Sequence, residues 1–533
     1  GTGSGAPAGT RQEEGADQGA GSAGSQEPKA DQGSAENAGK HGNGTETPAE
    51  KRRKRRGEYA RILSGGGAVE EIRLEDMLVP AAGEGDEDVI DPYAFSSIAE
   101  AFGNMPAFIK SSFSIGLLAS GSPINSQLGV PKNRLFCMYE GLGLEVSRAQ
   151  FTCSLNAFAR AFLHAVCEKI RRDILMNCSA VLMDESTLNV RETAVRKARQ
   201  CKGRKSQIWT LNSCWTSPVR ATWITVRESR GAENVAEILE DAGRELKHVV
   251  SDGYSGYDSG LGILKETFGV TLKSARCWTH ARRPLHRLLD GMRLLGIYNS
   301  KLVPNGRFSE FQRRLREFRK TEEGSRLSDL SCRLLWIYCL INSLFAIDGA
   351  VARRHRYQCQ TQEFKADLLK ARKERSLPIV NAIFDSIRLC ILAHREIMDM
   401  RVGGDGKLRL HAVKHYPQSK ALVYLLRFEK ELREFTASAD VELSQSTAER
   451  SLKLGICARK SFMFIQSVDG GHAFADFQTI ANTCAENGVP VQPYLLWLCA
   501  NIKLRMARMQ ACGQDDPTFF AMPGRRAIVN EDG

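Results

Sequence analysis

The sequence predicts an α/β fold: a mixed sheet core interrupted by a large all-helical insertion, preceded by an N-terminal helical domain and a disordered tail. Three observations carry this expectation. Between residues 179 and 276 apolar side chains alternate or form short unbroken runs, the pattern of strands. From about 285 to 440 they recur at spacings of three and four, the pattern of helices. Two acids, Asp184 and Asp252, each close an apolar strand-like run.

With 533 residues, 42% of them hydrophobic and 26% charged, the chain has the composition of a soluble protein that can bury a sizeable core. Lys plus Arg number 74 against 62 Asp plus Glu, so the +12 surplus and a pI near 9.0 favour a polyanionic partner such as nucleic acid. The 15 cysteines include no CxxC pair, and no signal-peptide pattern is seen, so reduced thiols in the cytoplasm are expected. The longest apolar run, "LLWIYCLINSLFAI" at 334 to 347, is too short to span a bilayer and reads as a buried helix, so no membrane contact is expected.

Residues 1 to 57 are Gly, Ala, Ser, Glu and Gln with few large apolar side chains, and they end in the basic run Lys51 to Arg56. Such a segment cannot bury enough surface to offset its ordering entropy and is expected to be disordered. Residues 58 to 174 form the helical region, in which "GLEVSRAQFTCSLNAFA" fits either a DNA-binding helix-turn-helix or two packed helices. Three strands follow, "SAVLMDES", "SQIWTLNSCWT" and "RATWITVRES", rich in β-branched and aromatic residues and suggesting an antiparallel meander. "GAENVAEILEDAG" reads as a helix closed by Gly243, and "KHVVSDGYSGYD" as a strand ending on Asp252. A helix between strands implies a parallel crossover. "VTLKSARCWTHARRPLHRLL" is a fifth strand running into a basic helix, and "VELSQSTAERSLKLGICARK" starts one more helix.

A carboxylate at a strand's end is either a turn or helix cap or one member of a metal-binding set. The order β-β-β-α-β, with acids on the first and fourth strands and a late helix offering Glu449, is the ribonuclease-H-like layout. Three such carboxylates can hold two Mg²⁺ or Mn²⁺ ions roughly 3.5–4 Å apart for phosphoryl transfer. Glu449 also fits a purely structural pattern, since Ser446-Thr447-Ala448-Glu449 matches the S/T-x-x-E capping box. Cys277 and His280 have zinc-like spacing, but no second ligand pair accompanies them.

Four stretches carry a family resemblance: "MDES" at Asp184, "DGYSGY" at 252 to 257, "CWTHARR" at 277 to 283, and "TAERSLKLGICARKSFMFIQSVDGG" at 447 to 471. Over roughly residues 105 to 505 the chain resembles DDE-type transposases of the bacterial insertion-sequence-66 family. The resemblance implies metal-dependent DNA cleavage and strand transfer of element ends, with Asp184, Asp252 and Glu449 as catalytic and metal-binding residues and Cys277 and His280 supporting them. It implies double-stranded DNA as partner, a homo-oligomer in the DNA complex, small accessory proteins, and work in the cytoplasm at the bacterial nucleoid. Two departures stand out. Family members carry a cysteine zinc motif near the amino terminus, whereas residues 1 to 130 here lack Cys; and the family's Asp-Asn-Asn before the last glutamate is Ser444, Gln445 and Ser446.

The core is therefore expected at 175 to 284 and 441 to 510, with the insertion at 285 to 440 and a tail at 511 to 533. The insertion holds 29 Lys plus Arg against 18 Asp plus Glu, nearly the whole surplus. Arg282 and Arg283, and Arg313, Arg314 and Arg319 on the stretch at 307 to 320, are candidate phosphate contacts; the alternative for each is a solvated basic face. Two other readings remain open: a weakened, transposase-derived DNA-binding protein, and a structure-selective nuclease using the same core.

Overall fold

The computed structural model describes residues 127–141, 147–194, 205–402, 408–413 and 416–495, together with 121, 125 and 498. The expected disordered tail, its basic run at 51 to 56, most of the region from 58 to 130 and the tail at 511 to 533 lie outside the described residues.

Five strands form one mixed sheet: β1 (Ala180–Leu188), β2 (Ser206–Ser213), β3 (Thr222–Arg227), β4 (His248–Ser251) and β5 (Lys273–Arg276), in the order β3-β2-β1-β4-β5. β1, β2 and β3 pair antiparallel, whereas β4 pairs parallel with β1 and with β5. The meander and the crossover read from the sequence are thus both present. The crossover helix α1 (Ala232–Leu239) ends short of Gly243, and α2 (Ser255–Phe268) stops on Gly269, which takes the left-handed φ of 71°.

Period-two alternation sends successive side chains to opposite faces. Val181, Met183, Trp209, Leu211 and Val249 enter one core, with α1, α2 and the N-terminal helices. Ala180, Leu182, Val250 and Ala275 enter a second, with α3 (Trp278–Gly291) and the insertion. Both faces of the central strands are covered, which is why their sequences read as unbroken apolar runs.

Before β1 the chain forms one helical run, Arg148–Phe158 and His164–Asn177 joined by a π turn at Ala159–Leu163. The stretch considered as a helix-turn-helix at 143 to 159 is therefore one helix from Arg148 onward, started by Ser147, whose Oγ accepts the Gln150 N–H. A separate helix, Lys132–Gly141, precedes it.

The insertion contains α4 (Phe311–Phe318), α5 (Asp329–Arg354), α6 (Gln362–Ala371), α7 (Leu377–Ala393) and α8 (Pro417–Arg427). It is not all-helical: β6 (Met398–Val402) and β7 (Leu408–Ala412) form an antiparallel hairpin. Their alternation, Met398-Asp399-Met400-Arg401 and Leu408-Arg409-Leu410-His411, flanks a Gly-rich turn, a strand signal overridden by the surrounding helical pattern. The apolar run at 334 to 347 lies inside α5, which is 26 residues long. By length and composition both α5 and the run Gln362–Ala393 could cross a membrane; 61% of the apolar window of α5 is buried against the rest of the protein.

Two late helices close the sheet: α9 (Ser446–Phe462) and α10 (Val468–Asn487). α10 covers the edge strand β3. Thr479 Oγ1 accepts the Ile224 N–H at 2.9 Å and Thr483 Oγ1 accepts the Thr222 N–H at 3.2 Å, so side chains satisfy groups that an open edge would expose. α9 lies across β1 and β2, and a Cβ on Gly455 would come within 3.2 Å of the Ile208 side chain, so the missing side chain permits the close approach.

Candidate active site

The parallel register of β1 and β4 sets Leu182 opposite Val250. Two residues further along each strand stand Asp184 and Asp252, on the same face and one strand apart, about 4.8 Å between backbones. Across the antiparallel ladder Asp184 is paired with Thr210, whose Oγ1 lies 3.0 Å from Ser451 Oγ of α9. Glu449 is two residues before Ser451 in the first turn of that helix. The three acids singled out in the sequence therefore meet at one rim of the sheet. Asp252 is followed by Gly253, where a Cβ would come within 2.5 Å of the Tyr424 hydroxyl; the tight turn after β4 needs glycine for space.

Burial pushes the Asp184 carboxyl up to about 8, and the Glu185, Asp252 and Glu449 carboxylates push in the same direction. The Glu185 N–H, donating to Asp184 Oδ1 at 3.0 Å, opposes them. Asp252 Oδ1 accepts the Tyr254 N–H at 2.8 Å, and its other oxygen lies 3.7 Å from the Arg230 guanidinium. Glu449 Oε1 accepts from Arg283 Nη2 at 2.9 Å and lies 3.4 Å from His280 Nε2. Burial, then the Arg283 charge, hold the His280 imidazole below its ordinary value, so the neutral ring is favoured.

The capping box expected at the start of α9 does not form. Ser446 is already helical, its N–H donating to Ser444 Oγ at 3.1 Å, and Glu449 turns to Arg283 instead of back to the chain. Ser444 Oγ also accepts from the Thr279 hydroxyl at 2.9 Å, tying α9 to α3. A local pattern cannot register that competition from a distant helix.

Cys277 is buried as the residue before α3, and the Gln445 N–H donates to its Sγ at 3.3 Å. Burial pushes its thiol up, against the thiolate that zinc requires. Arg283 is 41% exposed beside Glu449. Arg282 differs from the expected phosphate contact: its Nη1 donates to Asn342 Oδ1 at 2.6 Å and its guanidinium lies 4.8 Å from the Phe345 ring centre, fixing α3 to α5. On α4, Arg313 and Arg314 share Glu310, and Arg319 stands exposed at the helix end. That helix is only half solvated, because Phe311 and Phe318 are buried.

Sequence reasoning missed the second layer. Glu185 points to the opposite face from Asp184, where its side chain, 1% exposed, accepts from the Tyr257 hydroxyl and the Arg230 guanidinium. Arg230 stacks on Tyr254 at 3.8 Å, and the Tyr254 hydroxyl donates to the Arg230 carbonyl at 2.7 Å. Both tyrosines stand in "DGYSGY", so the motif carried this signal; Arg230, in the link after β3, had none.

Among the described residues, no three His, Cys, Asp or Glu side chains are gathered as a metal-ligand group, because each acid is turned to a local partner. The donor chemistry nevertheless suits a hard divalent cation. The acids offer oxygen alone, and an Asp184 carboxyl whose pKa is raised by desolvation and then by neighbouring carboxylates is one that a positive charge would ionise.

On the mixed sheet Asp184, within β1, stands beside Asp252, just past β4, and comparison with known families supplies the class of protein. The model of the transposase IS66 family matches residues 110–473, and the chain belongs to that family. It is 23% identical over 370 residues to an uncharacterized protein, y4qI, of Sinorhizobium fredii (strain NBRC 101917 / NGR234), matching 68% of this chain and spanning about half, 54%, of that protein. Among solved structures it is similar to the Drosophila P element transposase strand transfer complex, at 11% identity and a TM-score of 0.33, covering 71% of this chain and 95% of that one. So slight a likeness adds nothing to the strand order described above.

Proposed function

We propose that the chain is a DDE transposase that cuts DNA and transfers the cut strand, with Asp184, Asp252 and Glu449 holding Mg²⁺ or Mn²⁺ on a ribonuclease-H-like core. One observation carries the reading: the β1–β4 register sets two half-buried aspartates side by side beneath the helix that brings Glu449, close enough that both other carboxylates add to the rise of the Asp184 pKa. Family membership supports transposition as the process and DNA as the substrate. The strand order, three antiparallel then two parallel, supports the core assignment.

A bound divalent cation supplies a Lewis acid at the phosphate and lowers the pKa of an attacking water or hydroxyl. The protein's own groups prepare the ground. Arg230 and Tyr257 hold Glu185, so its charge stays fixed behind Asp184. His280 and Arg283 hold Glu449 beside the aspartates, where it would serve as the third ligand if a cation were bound. Arg283, partly exposed beside Glu449, is a guanidinium that could meet a phosphate.

The test is strand cleavage of DNA carrying the element's own ends. Asp252→Asn is expected to lower cleavage by at least about 1,000-fold while leaving DNA binding unchanged. Wild-type cleavage in that variant would refute the proposal. One observation favours a second reading, a DNA-binding protein that does not cut: Glu449 is engaged by Arg283 and His280. Under that reading the unsubstituted chain binds the ends and leaves them intact.

A further inference from the structure

A cavity of about 380 Å³ lies between the N-terminal helices and the link from α9 to α10, within the size range of roughly 300–1,000 Å³ that small-molecule pockets occupy. Phe462 and Phe474 meet there edge to face, their ring centres 5.5 Å apart. Phe464 is 46% exposed, with the Arg191 guanidinium 5.8 Å from its ring centre. An aromatic wall of this kind accepts a flat ring.

The polar lining is as specific. Asn125 is 4% exposed, and its Nδ2 donates to the Val130 carbonyl at 2.8 Å. That bond fixes the amide's orientation and leaves Oδ1, buried and without a partner among the described residues, as an acceptor lacking an N–H. Lys132 and Arg134 bring positive charge; the Lys132 ammonium donates to Asn156 Oδ1. Burial pulls Lys132 down to about 8, with the Asp469 carboxylate pulling the other way. Asp469 itself is bound to Arg160. An anion beside Lys132 would offset the cost of that burial and favour the ammonium form.

We infer that this cavity holds one unpaired nucleotide of the DNA, its base against the phenylalanine rings, its N–H edge on Asn125 Oδ1 and its phosphate beside Lys132 and Arg134. Every base has a π face and an N–H donor, so the cavity recognises the extrahelical state and not one base. A purely apolar ligand would leave Asn125 and Lys132 unused, and a bare phosphate would leave the rings unused. The location suits the role. Ile465, which lines the cavity, bridges Val190 just beyond β1, six residues from Asp184. At about 3.3 Å per residue the cavity is roughly 20 Å along the strand from the acids, about six base-pair steps of duplex. The inference rests on the DNA-processing reading above.

The experiment compares the full chain's affinity for a fully paired duplex with that for the same duplex carrying one unpaired 5-iodouracil, without divalent cations. The unpaired probe is expected to bind about tenfold more tightly, since its base gains a stack on an aromatic ring. On irradiation it should cross-link within residues 461 to 474. Phe464→Ala, at a half-exposed position that the fold does not need, and Asn125→Ala should each bring the ratio near one while leaving paired-duplex affinity unchanged. Equal affinity for both probes in the unsubstituted chain, or cross-links confined to other segments, overturns the cavity assignment alone. Failure to bind either duplex overturns the DNA reading and this inference with it.

Discussion

Two charge clusters in this chain, one buried and one half-buried, are built on opposite terms. In the insertion, Arg372 is fully buried, and its guanidinium reaches both Asp348 oxygens at 2.6–3.3 Å and the carbonyls of Phe435, Ser438 and Val441 at 2.6–3.0 Å. It ties α5 to the segment that leads into α9. At the sheet rim, Asp184 is half-buried and the Glu185 side chain is covered beside Asp252 and Glu449, and both carboxyls are raised, first by desolvation. One cluster is a satisfied knot, whereas the other is an anionic site short of positive charge. Buried or half-buried charge points to function where carboxylates outnumber their cationic partners; a fully bonded buried ion is scaffold.

The largest expected effect breaks the knot. Arg372→Met should destabilise the protein by about 3–5 kcal/mol in urea unfolding, because Asp348 is left buried and unpaired. Adding Asp348→Leu should recover only part, since three carbonyls still lack their donor. An Arg372→Met variant as stable as the parent would erase the contrast.

The reverse is expected at the rim. Asp184 has a folded-state pKa of about 8, raised from 3.8, so the fold favours its neutral form. That preference is fully present below about pH 4 and is lost as pH rises through about 8, where the buried carboxylate must ionise. Without divalent cations, Asp184→Asn should therefore stabilise the protein by about 1–3 kcal/mol at pH 8.5 and by nothing below pH 4. Destabilisation at pH 8.5 would mean that Asp184 is held as the scaffold is held.

A smaller effect is expected on α4, where the charges are exposed. Changing Arg313, Arg314 and Arg319 to Gln should flatten the slope of log DNA affinity against log salt by about 0.9 for each phosphate that is no longer neutralised. Arg313 and Arg314 already share Glu310, so the change in slope is expected to fall short of that for three phosphates. An unchanged slope would leave this helix as a solvated face.

Much of the core is legible in the sequence because its signals are local. Period-two runs mark β1 to β3, and a helix between apolar runs implies the parallel crossover that sets Asp184 beside Asp252. What is not legible depends on partners remote in sequence. Arg282 has the look of a phosphate contact, but α5 brings Asn342 and Phe345 to it. Glu449 has the spacing of a cap, but α3 brings Arg283 to it. Glu185 stands next to Asp184 in the chain, yet strand alternation sends the two to opposite faces. The β6–β7 hairpin carries a local signal, its ten residues outweighed by the helices around them.

The proposal that Asp184, Asp252 and Glu449 act as one cation-binding set is tested most directly by Mn²⁺ binding followed by calorimetry and electron paramagnetic resonance. Mn²⁺ is expected to be bound by the unsubstituted chain, with binding lost in each of Asp184→Asn, Asp252→Asn and Glu449→Gln while all three variants remain folded. Mn²⁺ bound by Glu449→Gln as tightly as by the parent would contradict it.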